Sequence, residues 1–249
     1  MTAILVTGGT GTLGVPTVAA LRAAGQWVRV LSRRPGPGLT VGDLVADSGL
    51  PEALDGAHTV VHLATAGNKT DVDAARHLFA AARKAEVRHL VLISIVGIDQ
   101  IPLPYYRDKV TIEGLLVASG VPYTILRSAQ FHPFLDKIFS AQHRLPVVLA
   151  PAFPLQPIDT SEVAARLTEL TFGPPSGRVA DIGGPEQRSG TEFARLWTRA
   201  GGGNQPVVPL WLPGRTFARY AAGNALVPGV PFGRVSYAEY LANRPARVF

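Results

Sequence analysis

The chain has 249 residues, 47% of them hydrophobic, with a formal net charge of +6 and no cysteine. That is enough apolar material for the core of one α/β unit, and the lack of thiols excludes disulfides, cysteine-ligated metals and thiol nucleophiles. Basic residues are scattered, with no run longer than Arg33-Arg34, and the six histidines lack metal-ligand spacing, so neither nucleic acid nor a metal ion is expected as a partner.

Residues 3–14 read AILVTGGTGTLG. Ala3 to Val6 have the continuous apolar character of a strand buried on both faces, and Leu13, Val18 and Leu21 begin a helical period that closes at Gly25. The glycines between them satisfy both G-x-x-G-x-x-G and G-x-G-x-x-G. At a strand-to-helix turn, Gly8 and Gly11 permit a tight bend and the close approach of a pyrophosphate. Gly14 lets the helix pack on the strand, and free N–H groups at the helix start meet the anion. The same glycines would serve a tight turn in an unrelated α/β protein, but their place between strand and helix favours a dinucleotide.

The second apolar run, 27–31, ends in Ser32-Arg33-Arg34. About twenty residues beyond the glycines, a chain that binds NAD places a carboxylate on the adenosine ribose. Two guanidiniums suit a 2′-phosphate instead, so NADP(H) is expected over NAD(H), with a plain exposed basic turn as the alternative. Further strands are expected at 40–44, 58–64, 88–94 and 122–127, and helices near 12–24, 70–86 and 104–119. Crossovers of that length imply parallel strands and a doubly wound sheet whose ligand crevice lies at the strands' carboxyl ends.

Pro104 and Gly120 bracket the last of those helices. Tyr105 and Lys109, four apart in its first turns, share one face. A phenol there can protonate a developing alkoxide, and a nearby ammonium and the helix N-terminus stabilise the phenolate left behind. Ser94 ends the strand before it, where its hydroxyl can orient a substrate oxygen. The plainer alternative is an exposed aromatic beside a solvated lysine. Tyr106 points elsewhere.

Beyond residue 130, Pro133, Pro146, Pro151, Pro154 and Pro157 interrupt the apolar pieces, which predicts a lobe. Arg127, Gln130 and His132 come after the last core strand; they either line the substrate mouth or serve as a structural arginine and a surface histidine. A helix is expected at 160–172, with Asp159 and Glu162 as a capping box, then a strand at 178–182 and a helix at 190–200. Residues 201–233 are rich in Pro and Gly but carry Trp211, Phe217, Tyr220 and Phe232, which predicts ordered cover that acts as core packing or as a substrate wall.

These segments resemble the short-chain dehydrogenase/reductase superfamily, in particular its NmrA-like NAD(P)H-binding branch. The likeness is carried by TGGTGTLG at 7–14, SRRP at 32–35, GDL at 42–44, VVHLAT at 60–65, HLVLISIVGID at 89–99, YYRDKVTIEGLL at 105–116, YTILR at 123–127, QFH at 130–132 and GGPE at 183–186. It implies that Gly8, Thr10, Gly11, Thr12 and Leu13 surround the pyrophosphate and Arg33 and Arg34 the 2′-phosphate. Asp43 and Leu44 would flank the adenine, Ala64 and Thr65 the nicotinamide side, and Ser94, Tyr105 and Lys109 fall at the superfamily's catalytic Ser, Tyr and Lys. Two points of difference stand out. Asp71 occupies the place nearest to the asparagine of many relatives, and several NmrA-like members lack the tyrosine that this chain keeps. Gly42-Asp43 also reads as an ordinary turn whose aspartate caps the next helix.

The expectation is an α/β fold, a doubly wound Rossmann-like parallel sheet with a small C-terminal substrate-binding lobe. Residues 1–150 would form the dinucleotide-binding core and 151–249 the lobe packed on it. The expected activity is NADPH-dependent reduction of a small apolar or aromatic carbonyl or quinone-like compound, with Tyr105 as proton donor, Lys109 touching both the reaction and the cofactor, and Gln130 and His132 near the substrate. The alternative is a non-catalytic NAD(P)H sensor that binds a protein partner. A four-residue apolar run at the start, without a charged region or cleavage site, predicts a cytoplasmic chain with no membrane partner, as monomer or homodimer.

Overall fold

The computed structural model describes residues 3–202 and 204–244. The first half alternates strand and helix: β1 (Ala3–Thr7), α1 (Gly14–Ala23), β2 (Trp27–Ser32), β3 (Leu39–Val41), α2 (Leu50–Leu54), β4 (Ala57–His62), α3 (Thr70–Lys84), β5 (His89–Ile95), α4 (Pro104–Ala118) and β6 (Tyr123–Ser128). The second half contains α5 (His132–Ser140), β7 (Val148–Pro151), β8 (Pro154–Leu155), α6 (Thr160–Phe172), β9 (Gly177–Arg178), β10 (Arg188–Ser189), α7 (Gly190–Trp197), β11 (Val207–Leu210), α8 (Arg215–Ala221) and α9 (Tyr237–Asn243).

Seven strands form a parallel sheet in the order β3-β2-β1-β4-β5-β6-β9. The order reverses between β1 and β4, which is where a doubly wound sheet opens a crevice at its carboxyl edge. Alternate strand residues face opposite sides. Leu5, Val60, Leu90 and Leu92 pack with Leu78 and Phe79 of α3 and Ile112 and Leu116 of α4. Ile4, Val6, Val61 and Val91 pack on the other face with Val18 and Leu21 of α1 and Val163 and Leu167 of α6. Each such buried aliphatic side chain stabilises the fold by about 1.5–3 kcal/mol, so the sheet's carboxyl edge is held from both sides.

The lobe has its own core, in which Leu135 and Phe139 of α5, Val148 and Ala150 of β7, Phe193 and Trp197 of α7, and Tyr237 and Leu241 of α9 are buried together. Two small ladders brace it, β7 with β11 and β8 with β10. Lobe and sheet alternate along the sequence, since α5 and β7 lie in the lobe whereas the later α6 and β9 complete the sheet layers.

Several local expectations are corrected. The strand expected at 40–44 ends at Val41, because Asp43 Oδ1 accepts the N–H groups of Val45 and Ala46 and turns the chain. The strand expected at 178–182 pairs only at 177–178, with Ile182 bridging Ser128. Asp159 caps α6 through Ser161, but Glu162 does not close a capping box; it accepts the N–H groups of Arg234 and Val235 and so ties the lobe's last segment to the sheet layer. Helix α5 falls where Pro133 predicts an interruption. Pro133 occupies the helix's first turn, where its missing N–H costs nothing, and His132, Leu135, Asp136 and Phe139 give a buried helical period.

Candidate functional site

The turn after β1 is built from its glycines. Gly8 has φ +70°, and a Cβ on it would stand 2.6 Å from the backbone N of Ala64. A Cβ on Gly14 would stand 2.0 Å from the carbonyl oxygen of Gly8, so α1 starts directly against the turn. Gly11, whose N–H donates to Gly8 O at 3.0 Å, faces outward; the nearest atom to a Cβ there is Gly8 O at 3.3 Å. Thr10, Gly11 and Thr12 are exposed and Leu13 is buried. Among the described residues no side chain caps α1, which leaves a helix N-terminus open towards an anion.

Register puts the other predicted segments beside this turn. Thr7 at the end of β1 aligns with Leu31 of β2 on one side and His62 of β4 on the other. Ser32 Oγ ties down the next turn by accepting the Arg34 N–H and donating to its carbonyl. Arg33 and Arg34 are exposed, and neither guanidinium has an ion pair or hydrogen bond among the described residues. Leu44 is buried in the core with its carbonyl facing His77 Nδ1 at 2.8 Å, and Asp43 Oδ1 is committed to its own turn.

Past β4, Leu63 N–H donates to Thr7 O at 3.1 Å, and the chain then wraps around the carboxylate of Asp71, 5% exposed at the start of α3. Asp71 accepts from Thr65 Oγ1 at 2.5 Å, from Ala66 N–H at 2.6 Å and from Gly67 N–H at 3.2 Å. Thr65 Oγ1 is also 3.0 Å from the Tyr105 hydroxyl. Lys109, 7% exposed, holds its Nζ 5.5 Å from the Tyr105 ring centroid, as expected for residues four apart on α4. Burial pushes the Tyr105 phenol upward against the pull of the Thr65 hydrogen bond, so it is neutral at physiological pH. Burial lowers Lys109, and Asp71, Asp108 and Glu113 pull it back up. Beneath this group His62 is buried, 2.7 Å from Thr7 Oγ1, and is held at about 3 by desolvation, with the Lys109 charge adding to the effect and Asp71 opposing it.

Ser94, 3% exposed at the carboxyl end of β5, has a hydroxyl with no hydrogen-bond partner among the described residues. Its neighbour Ile95 packs in the same apolar cluster as Tyr105, with Ile98, Ile101, Leu103, Tyr106, Tyr220 and Ala225. Tyr106 turns away from Lys109 and shares a 2.7 Å hydrogen bond with the Tyr220 hydroxyl of α8. Tyr220 stacks on Phe153 at 4.8 Å, and Phe217 stacks on the same ring. The buried Gln130 amide lies beside Tyr106.

His132 is not part of this cluster. It is 1% exposed, with Nε2 3.1 Å from Pro157 O, Nδ1 3.7 Å from Asp159, and the rings of Tyr237 and Tyr240 against it. That corrects the surface alternative for it, since it is enclosed. Arg127 is a structural arginine, paired twice with Glu113 and once with Asp99. Sequence reasoning missed Phe153 and the link from Thr65 to Tyr105, because contacts across forty residues and between lobe and sheet leave no local spacing. Among the described residues, no helix is long and apolar enough to cross a membrane and no group of three or more His, Cys, Asp or Glu side chains could hold a metal ion.

The NAD(P)H-binding family model matches residues 8–133, slightly more than half of the chain. Photosystem II assembly factor Ycf39 of Trieres chinensis is 28% identical over 232 residues, covering 84% of this chain and 73% of that protein. A chloroplastic divinyl chlorophyllide a 8-vinyl-reductase of Oryza sativa subsp. indica is 28% identical over 221 residues, 74% of this chain and 55% of that protein. In fold the chain is similar to an NADPH-dependent quinone oxidoreductase of Escherichia coli solved with NADPH, with a TM-score of 0.81 and 19% identity over 96% of this chain and 98% of that one.

Proposed function

We propose that this chain, which belongs to the NAD(P)H-binding family, is an NADPH-dependent oxidoreductase of the short-chain dehydrogenase/reductase type that reduces a small apolar or aromatic carbonyl or quinone. The observation that carries the reading is the placement of Tyr105, with Lys109 over its ring, at the edge of the sheet that also holds the glycine turn. The residues present fit the dinucleotide. Thr10, Gly11, Thr12 and Leu13 border the open start of α1 and would hold the diphosphate, with Gly8 making the bend. Free guanidiniums on Arg33 and Arg34 would hold a 2′-phosphate, Asp43 and Leu44 would border the adenine, and Ala64 and Thr65 the nicotinamide end.

A bound reduced nicotinamide, held by the residues above, would supply hydride chemistry at an electrophilic carbon of the substrate. The protein's part is to orient the substrate oxygen and manage the proton. The Ser94 hydroxyl, lacking a protein partner among the described residues, donates to that oxygen. Tyr105 breaks its O–H bond to give the oxygen its proton as negative charge develops there, and the Lys109 ammonium stabilises the phenolate that remains. Ile98, Ile101, Tyr220 and the Phe153 stack supply the apolar wall, and Gln130 a polar contact, which suits an aromatic or quinone ring.

The relative named as an assembly factor favours a second reading, dinucleotide sensing with a protein partner. Oxidation of NADPH, measured at the nicotinamide absorbance with a panel of quinones and aromatic ketones, separates the two. Turnover with at least one class is expected of the enzyme; tight NADPH binding with no turnover across the panel would leave the sensor.

A further inference from the structure

We propose that Thr65, anchored by Asp71, is a hydroxyl switch for Tyr105, directing its single proton to Asp71 while the phenol is protonated and to the phenolate oxygen once that proton has left. The inference rests on the reading of Tyr105 as proton donor and adds a residue to its machinery. A threonine hydroxyl has one proton and two lone pairs, and all three are accounted for here. The proton goes to Asp71 Oδ2, one lone pair accepts Gly67 N–H at 3.2 Å, and the other faces the Tyr105 hydroxyl at 3.0 Å. With its own proton committed, Thr65 can only accept from Tyr105. The resting phenol therefore points its proton at Thr65 rather than at the crevice.

When Tyr105 rotates that proton to a substrate oxygen and loses it, its oxygen becomes an anion at the crevice, half-buried beside the exposed Thr65. Thr65 is then the hydroxyl beside it. Turning the Thr65 proton from Asp71 to the phenolate leaves Asp71 with the N–H groups of Ala66 and Gly67, so neither anion is stranded. Thr65 keeps its proton throughout, and the phenolate recovers one from water after product leaves. The other ionisable groups acting on Tyr105 are Asp71 from α3 and Tyr106 and Lys109 from α4. Lys109 lies over the ring, so it contributes charge, while Thr65 contributes the directed donor at the oxygen. Asp71 is a positioning residue, holding residues 65–67 around its carboxylate.

The test reads the phenol without cofactor or turnover. A ring-fluorinated tyrosine placed at position 105, whose phenol titrates closer to neutrality, is monitored by fluorine NMR against pH. Thr65→Val is expected to raise its midpoint by about one pH unit, a tenfold loss of phenolate stability, and Thr65→Ser to restore it. Thr65→Ala, which needs no added space, replaces the valine variant should that one unfold. An unshifted midpoint in a folded Thr65→Val or Thr65→Ala protein, or a serine variant that behaves like valine, overturns the switch. The catalytic reading fails by a different result, wild-type turnover of a Tyr105→Phe enzyme, to which the fluorine titration is blind.

Discussion

The two ends of the crevice are prepared in opposite ways. At the nucleotide end the donors are left free, with an uncapped α1, an outward-facing Gly11 and two unpaired guanidiniums among the described residues. At the Tyr105 end most polar groups are committed in advance, through the chain of Tyr105, Thr65 and Asp71 and the buried pair of Thr7 and His62, while the Ser94 hydroxyl is left open. On the proposed function, ligand chemistry accounts for the difference. A diphosphate brings its own charge and is met by solvated donors, which lose little by waiting in water. A hydride acceptor brings little charge until it reacts, so the groups that meet it must be oriented beforehand.

The largest expected effect breaks the reactive end alone. Tyr105→Phe removes the proposed proton donor and is expected to lower turnover by about two to four orders of magnitude, with NADPH affinity by fluorescence titration unchanged. Loss of both activities would mean that the two ends are not independent. At the nucleotide end, replacing Arg33 and Arg34 together with alanine removes the guanidiniums proposed to hold the 2′-phosphate and is expected to weaken NADPH about ten- to a hundredfold. NADH binding, measured on the same protein, should change little; equal losses would dismiss the 2′-phosphate role.

Gly8 and Gly11 separate ligand contact from backbone strain. Among the described residues Gly11→Ala meets one carbonyl oxygen, so its melting temperature should stay near wild type while nucleotide affinity falls about tenfold. Gly8→Ala is strained at φ +70° and collides with Ala64, so it should lose about 1–3 kcal/mol of stability or more, read by urea unfolding. If Gly11→Ala bound NADPH normally, the diphosphate would lie elsewhere.

A smaller effect again concerns pH and the buried His62 beneath Tyr105. His62 in the folded protein is held at about 3, against 6.5 for a free imidazole. Between those values the unfolded chain takes up a proton that the folded one refuses. The His62 contribution to stability is therefore whole above pH 6.5 and is lost as pH falls, by about 1.4 kcal/mol per unit. Urea unfolding at pH 6.5 and 5.5 should show that loss in the wild type and less of it in His62→Gln. Parallel losses would place the acid sensitivity on other groups.

The alternating runs and glycine spacing were enough to read the parallel sheet, the turn after β1 and the placement of Tyr105 with Lys109, because each depends on neighbours within one element. Pattern failed where distant segments intervened. His132 came after a core strand as a crevice residue would, yet Pro157, Asp159 and the tyrosines of α9 enclose it. Glu162 had capping-box spacing but found the N–H groups of Arg234 and Val235 instead. Phe153 gave no signal until Phe217 and Tyr220 stacked on it from α8.

The layered α/β architecture, the dinucleotide-shaped turn and the pairing of a phenol with an ammonium one helical turn away are written in local sequence. These are set by side-chain periodicity and by the backbone freedom of glycine, which act over a few residues. Only the tertiary structure decided which polar groups are dry, which hydroxyl faces which carboxylate, and how the lobe joins α4. Burial and hydrogen-bond direction depend on what the rest of the chain brings from tens of residues away, and no local pattern encodes that.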